Sequence, residues 1–320
     1  MRRVINILFV LVSLLLYVAC DDVLEDDITD DLVNPILPND DANLEGNAVQ
    51  FVWDAIAGAE EYRIQVIENE SQRRVLDSLV SGDNFTYALN PGSYDWRVRG
   101  ENFAYVTAFS FPLSFTLNSS NDLSNQIVFQ TSPSDNLFTN TNSQIILTWD
   151  RLLAATSYTV VVEKTIQGNT STEIQTSDLT DTSFTLTTTT LSEDAVYTWK
   201  VKASNDTSET AFSTRTIRLD TQDPNQPTQT APTNDERVTT TVTFTWTLGS
   251  DTGEVQSPVT SILEIASDEG FSTILETIET DQASLEIDFT DTGDYFWRIR
   301  ARDQANNESP VSEIRKFTVE

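Results

Sequence analysis

The six tryptophans of this 320-residue chain fall into two series of three. Trp53, Trp149 and Trp246 lie 96 and 97 residues apart, and Trp96, Trp199 and Trp297 lie 103 and 98 apart. Around the second series the chain spells nearly the same seven residues three times: "YDWRVRG" from Tyr94, "YTWKVKA" from Tyr197 and "YFWRIRA" from Tyr295. Self-similarity at a near-constant spacing marks copies of one structural unit. The chain is therefore expected to fold as three similar units in series.

Inside each unit the apolar residues alternate with a period of two. In "YTWKVKA", Tyr197, Trp199, Val201 and Ala203 share one face of a strand, and Thr198, Lys200 and Lys202 share the other. "FTLTTTTL" from Phe184 and "LEIDF" from Leu285 continue the alternation, with the threonines that strands favour. "YRIQV" from Tyr62 and "YTVVV" from Tyr158 supply a middle strand. No segment between residues 33 and 320 carries a sustained amphipathic helical pattern. Pro38, Pro133 and Pro232 precede the first tryptophan of each unit by 15, 16 and 14 residues. Proline has no amide hydrogen to give a ladder, so each unit is expected to open on a broken edge strand. Several short strands per unit, without paired cysteines, argue for antiparallel sandwiches and an all-β fold class.

The first-sheet tryptophan, the Tyr-x-(Ile/Val)-x-Val strand and the Tyr-x-Trp-x-(Val/Ile) strand together resemble fibronectin type III-like domains. The resemblance implies a tandem array of three fibronectin type III/Ig-like β-sandwiches, over residues 33–118, 126–219 and 220–320. "LDTQDPNQP" opens the third and "ARDQANNESPVSEIRKFTV" closes it, a closing that resembles those of bacterial fibronectin- and Ig-like modules. Ser261 departs from the pattern where Tyr62 and Tyr158 stand, but Leu263 and Ile265 keep the inward positions. The resemblance also implies tyrosine corners at Tyr94, Tyr197 and Tyr295. All six tryptophans then read as core, and the repetition marks a scaffold.

"MRRVINILFVLVSLLLYVAC" has two arginines, an apolar run and a small residue before Cys20, the layout of a secretory signal peptide over residues 1–19. The run is short for a membrane span. Leu16, Val18, Ala19 and Cys20 resemble a bacterial lipobox, with Tyr17 where the usual pattern has leucine. That implies lipidation of Cys20 and a membrane partner through the lipid anchor. Residues 21–32 hold seven carboxylates, so residues 20–32 read as a self-repelling, extended tether. The tether resembles the surface-export signal of Bacteroidota-type lipoproteins and implies an outer-membrane, surface-exposed address. Farther on, "NSSNDLSNQ" from Asn118 reads as a flexible linker, and the proline-bearing "DTQDPNQPTQTAP" as a semi-rigid one.

The balance of 19 Lys+Arg against 50 Asp+Glu, a formal charge of −31, repels phosphate backbones and sets nucleic acid aside as a partner. With no histidine and one cysteine, the chain cannot assemble a Ser/His/Asp triad, a Cys/His dyad or a Cys/His zinc site. Nothing singles out a catalytic pair among its acids, so no enzyme activity is expected. Phe103 and Tyr105 are the ligand-binding candidates, because they fall in an end loop where the other repeats carry polar residues. Asp220, Asp223 and Asp303 are metal candidates of the oxygen-ligand kind that suits Ca²⁺; no other cofactor is expected. The function read from the sequence is non-covalent binding of an extracellular glycan or protein at the cell surface. The alternative is a spacer or scaffold subunit of an outer-membrane complex with no ligand of its own.

Overall fold

The computed structural model describes residues 25–141 and 144–320. The signal peptide, Cys20 and the start of the acidic stretch lie outside the described residues. The first repeat contains β1 (Pro35–Leu37), β2 (Ala42–Glu45), β3 (Ala48–Trp53), β4 (Glu61–Glu68), β5 (Arg74–Val80), β6 (Asn84–Ala88), β7 (Gly92–Glu101) and β8 (Leu113–Asn118). The second contains β9 (Gln130–Ser132), β10 (Leu137–Thr139), β11 (Ile146–Trp149), β12 (Ser157–Ile166), β13 (Asn169–Leu179), β14 (Ser183–Thr185), β15 (Ala195–Ser204) and β16 (Ser213–Leu219). The third contains β17 (Thr228–Ala231), β18 (Glu236–Val238), β19 (Thr241–Thr247), β20 (Thr260–Ala266), β21 (Ile274–Thr280), β22 (Ser284–Asp288), β23 (Gly293–Arg302) and β24 (Arg315–Val319). No α-helix occurs among the described residues.

Each repeat builds the same pair of sheets. A three-stranded sheet has the order β1-β3-β6, β9-β11-β14 or β17-β19-β22, and a five-stranded sheet the order β2-β8-β7-β4-β5, β10-β16-β15-β12-β13 or β18-β24-β23-β20-β21. The fold is thus three fibronectin type III/Ig-like sandwiches. They are distributed over two compact units: one takes the chain to Leu44, Val49–Tyr87 and Gly92–Leu117, the other Glu45–Ala48, Ala88–Pro91 and Asn118–Glu320. The second and third repeats share the latter.

The alternation read from the sequence becomes the two faces of each strand. In β15 Tyr197, Trp199, Val201 and Ala203 are fully buried, whereas Thr198, Lys200 and Lys202 are partly exposed. All six tryptophans are buried. The Tyr197 hydroxyl donates to the Glu193 carbonyl at 3.1 Å and the Tyr295 hydroxyl to the Asp291 carbonyl at 3.0 Å, each pinning the corner four residues upstream. The chain leaves the three-stranded sheet right after β1, β9 and β17, through the cis prolines Pro38, Pro133 and Pro232, and its next strand joins the other sheet. This is the expected broken edge strand.

Ser261 replaces a ring contact with a hydrogen bond. Tyr62 and Tyr158 each pack on the first tryptophan of their repeat, with ring centroids 5.5 Å apart. Ser261 instead accepts a hydrogen bond from Trp246 Nε1 at 3.0 Å, while Leu263 and Ile265 stay in the core.

Two connecting segments differ from the sequence reading. Ile28, within the acidic tether, is 1% exposed, and the Asp26 carbonyl accepts a hydrogen bond from Asn102 Nδ2 at 2.9 Å. Leu123, within the linker read as flexible, belongs to the second core, and its N–H donates to Ser208 Oγ at 2.9 Å. Burying one such side chain contributes about 1.5–3 kcal/mol, enough to hold a short polar segment that is also hydrogen-bonded. Asp27 accepts the Thr29 N–H and Asp122 the Ser124 N–H, so "DDIT" and "NDLS" are one motif used twice. Gly58 makes room for the first copy: its φ is +82°, and a Cβ there would lie 2.7 Å from Asp26 Cβ.

Candidate functional site

Six residues after the second tryptophan of each repeat stand Asn102, Asn205 and Asp303. Asn102 Oδ1 accepts the N–H groups of Ala104 and Tyr105 at 3.2 and 2.8 Å, and the Asn102 N–H donates to the Tyr105 carbonyl at 3.0 Å. Its Nδ2 donates to the carbonyls of Asp26 and Gly58, both at 2.9 Å. The turn is therefore fixed from within and presents Phe103, 91% exposed, with Tyr105 37% exposed. Asn205 repeats the arrangement: Oδ1 accepts the N–H groups of Thr207 and Ser208, and Nδ2 donates to the carbonyls of Asn121 at 2.9 Å and Ala154 at 3.1 Å. Asp206 stands where the first repeat has Phe103.

A further exposed aromatic escaped the sequence reading. Phe111 is 81% exposed beside an open hollow of about 260 Å³ lined also by Leu32, Pro35, Ser110 and Leu113. Its neighbour Phe109 lies under the guanidinium groups of Arg97 and Arg99, 4.4 and 4.7 Å from the ring centre.

Asp303 gives the third repeat a carboxylate where the others have a carboxamide. Oxygens of Asp220, Asp251 and Asp303 all lie within 4.8 Å of one another. Asp303 is 4% exposed and accepts the N–H and Nδ2 of Asn307 at 2.9 and 2.8 Å. Asn307 Nδ2 also reaches the Asp220 carbonyl at 3.1 Å. Asp251 accepts the N–H groups of Thr252 and Ser257 at 2.8 and 2.6 Å and the Ser257 hydroxyl at 3.1 Å. Asp220 is 0% exposed; its Oδ1 accepts the Gln222 N–H at 3.1 Å, and its Oδ2 is buried without a hydrogen-bond partner. Asp194 stands close by, with Oδ1 accepting the Val255 N–H at 2.8 Å. Asp223, named from the sequence, is exposed and offers only its carbonyl, to Thr252 Oγ1 at 2.9 Å. Asp251 takes the place assigned to it, because the β19–β20 loop folds that carboxylate inward.

Burial pushes the Asp220 carboxyl up to about 7 against the hydrogen bond from Gln222, and the negative charges of Asp251, Asp303 and Asp194 add to the rise. Asp194 is raised as well, chiefly by burial. An unfolded aspartate loses its proton near 3.8, whereas the folded chain holds this one to about 7. Folding thus takes up a proton between those values, and in chelator the stability falls as pH rises from about 4 to about 7. Thermal unfolding in EDTA at several pH values should show the fall, and Asp220→Asn should flatten it. A wild-type profile as flat as the variant's would count against this account.

Three converging carboxylates form an oxygen-only donor set. Opposite ligands at about 2.3–2.6 Å from an ion stand up to about 5 Å apart, which the 4.8 Å spread of the cluster fits. The set suits hard cations and lacks the imidazole or thiolate that zinc or copper would favour.

No protein-family model matches the chain, and no curated protein is significantly similar to it. Among solved structures, the crystal structure of the chicken CNTN1 FN1-FN3 domains is similar at 16% identity, over 86% of this chain and 95% of that one, with a TM-score of 0.44.

Proposed function

We propose that this chain is a lipid-anchored protein of the outer-membrane surface that works by non-covalent contact, engaging an extracellular glycan or protein through the Asn102–Tyr105 turn. One observation carries the reading. Phe103 is almost wholly exposed on a turn whose backbone is already tied by Asn102, so a ligand would gain apolar contact while ordering little. The apolar leader, Cys20 and the acid-rich start support the address, and the −31 charge turns the search away from nucleic acid.

Affinity electrophoresis through gels holding a panel of polysaccharides tests it, with a Phe103→Ala/Tyr105→Ala variant alongside. Retardation by one polymer, lost at least tenfold in the variant, is the expected result. Retardation that the variant keeps would move the site elsewhere. Free migration in every gel would turn the search to protein partners and favour the spacer reading. That second reading has its own support: the Val255 N–H of the third repeat donates to Asp194 of the second, and Asn307 holds the carbonyl of Asp220, the residue that follows the second repeat's last strand.

A further inference from the structure

We propose that Asp220, Asp251 and Asp303 bind one calcium ion that ties the second sandwich to the third. The three repeats supply the comparison. In the first two, a carboxamide at the Asn102 or Asn205 position sends its two hydrogens to two carbonyl oxygens, one before the repeat's first strand and one after its first tryptophan. At the same position the third repeat has Asp303, which has no hydrogen to give when ionised. Five residues after the first tryptophan, where Gly58 and Ala154 offer carbonyls, it has Asp251. Asp220, directly after the last strand of the second repeat, adds a third carboxylate.

The substitution removes a donor and puts three acceptors in its place. Asn307 recovers only part of the loss, because its amide reaches the Asp220 carbonyl and an Asp303 oxygen and leaves Asp220 Oδ2 alone. A buried carboxylate with one unpartnered oxygen, in a cluster whose three carboxylates come within 4.8 Å of one another, is costly as it stands. A cation at their centre satisfies that oxygen and cancels the mutual repulsion.

The chemistry favours calcium over magnesium. Calcium takes 6–8 oxygens in adaptable geometry, including carbonyls, whereas magnesium demands a near-ideal octahedron and keeps several waters. Asp220 and Asp303 are almost entirely enclosed, as a site built from the chain's own oxygens requires. The ligands come from three places: the residue after β16, the β19–β20 loop and the residue after β23. An ion bound to all three closes the joint between two repeats.

The test is calorimetric titration of the purified, chelator-treated protein with CaCl₂, with thermal unfolding read in parallel. One ion per chain is expected, with Tm rising by roughly 5 °C at a hundredfold excess over Kd. Asp303→Asn, which restores the residue of the first two repeats, should weaken binding at least tenfold, and Asp220→Asn should do the same. Both variants should unfold in EDTA at no lower temperature than the wild type, a result that a merely structural role for these acids would not give. Asp281→Asn, at an exposed turn elsewhere, should bind normally. Absence of heat and of any Tm shift up to about 10 mM CaCl₂, beyond the range of extracellular calcium modules, would overturn the proposal. So would undiminished binding in both variants, and tighter binding of MgCl₂ would overturn the choice of ion. None of these outcomes depends on whether the first repeat has a ligand.

Discussion

Trp199→Ala lowers the stability of the second sandwich by about 3–5 kcal/mol, the range for emptying a buried tryptophan site. Trp199 is fully enclosed in a core that also holds Leu147, Val162, Val201 and Ile217. It sits in β15, between β12 and β16 of the five-stranded sheet, so its neighbours are fixed by ladders on both sides and cannot collapse into the space. Backbone amide exchange is the measurement of choice, because it reads each repeat separately. Protection of the Val160 and Val201 amides should drop by several orders of magnitude. A loss equivalent to under about 1 kcal/mol would mean that the repeated tryptophans are not what holds the sandwich together.

The second large effect is electrostatic. Glu264→Ala should cost the third sandwich about 2–3 kcal/mol, because it leaves the partly buried Arg298 guanidinium without its counter-charge and Arg300 with Glu308 alone. Glu264 receives Arg298 Nε at 2.6 Å and an Arg300 nitrogen at 3.0 Å, while Arg298 also lies 4.1 Å over the Phe271 ring. Burial alone would raise the Glu264 carboxyl, but hydrogen bonds and charge from the two arginines outweigh it and hold the group below its ordinary 4.5. A carboxylate lowered in this way stabilises the fold above about pH 4.5, and that contribution is lost as pH falls through the folded value. Urea unfolding at pH 7 and at about pH 3 should therefore show the gap between wild type and variant narrowing in acid. An equal gap at both would assign the loss to packing.

The parts of the fold that could be read in advance are those the chain writes three times. Tryptophan and tyrosine at a period of two are legible because each unit needs the same inward row, and the prolines because an amide is missing at the same step each time. Ile28 and Leu123 were not legible singly: one apolar residue among carboxylates or serines looks solvated, and only aligning "DDIT" with "NDLS" reveals its plugging role. At the joint, Asp220 and Asp303 flank readable landmarks, but Asp251 reaches them only because its loop folds back, which no periodicity encodes. Phe109 and Phe111 sit two apart on one stretch of chain. Which of them is covered depends on arginines of a neighbouring strand.

The chain's change of sheet at each proline has a mechanical consequence. In the second repeat it brings β10 beside β16 in parallel, Leu137–Thr139 opposite Ile217–Leu219, and the third repeat does the same with Glu236–Val238 and Phe317–Val319. The entering and leaving strands of a sandwich are thus bonded to each other and run in one direction. A pull on the two ends slides these strands past one another, so the cross-strand bonds share the load and yield together. Two antiparallel strands pulled apart from one end would instead open a bond at a time, at much lower force.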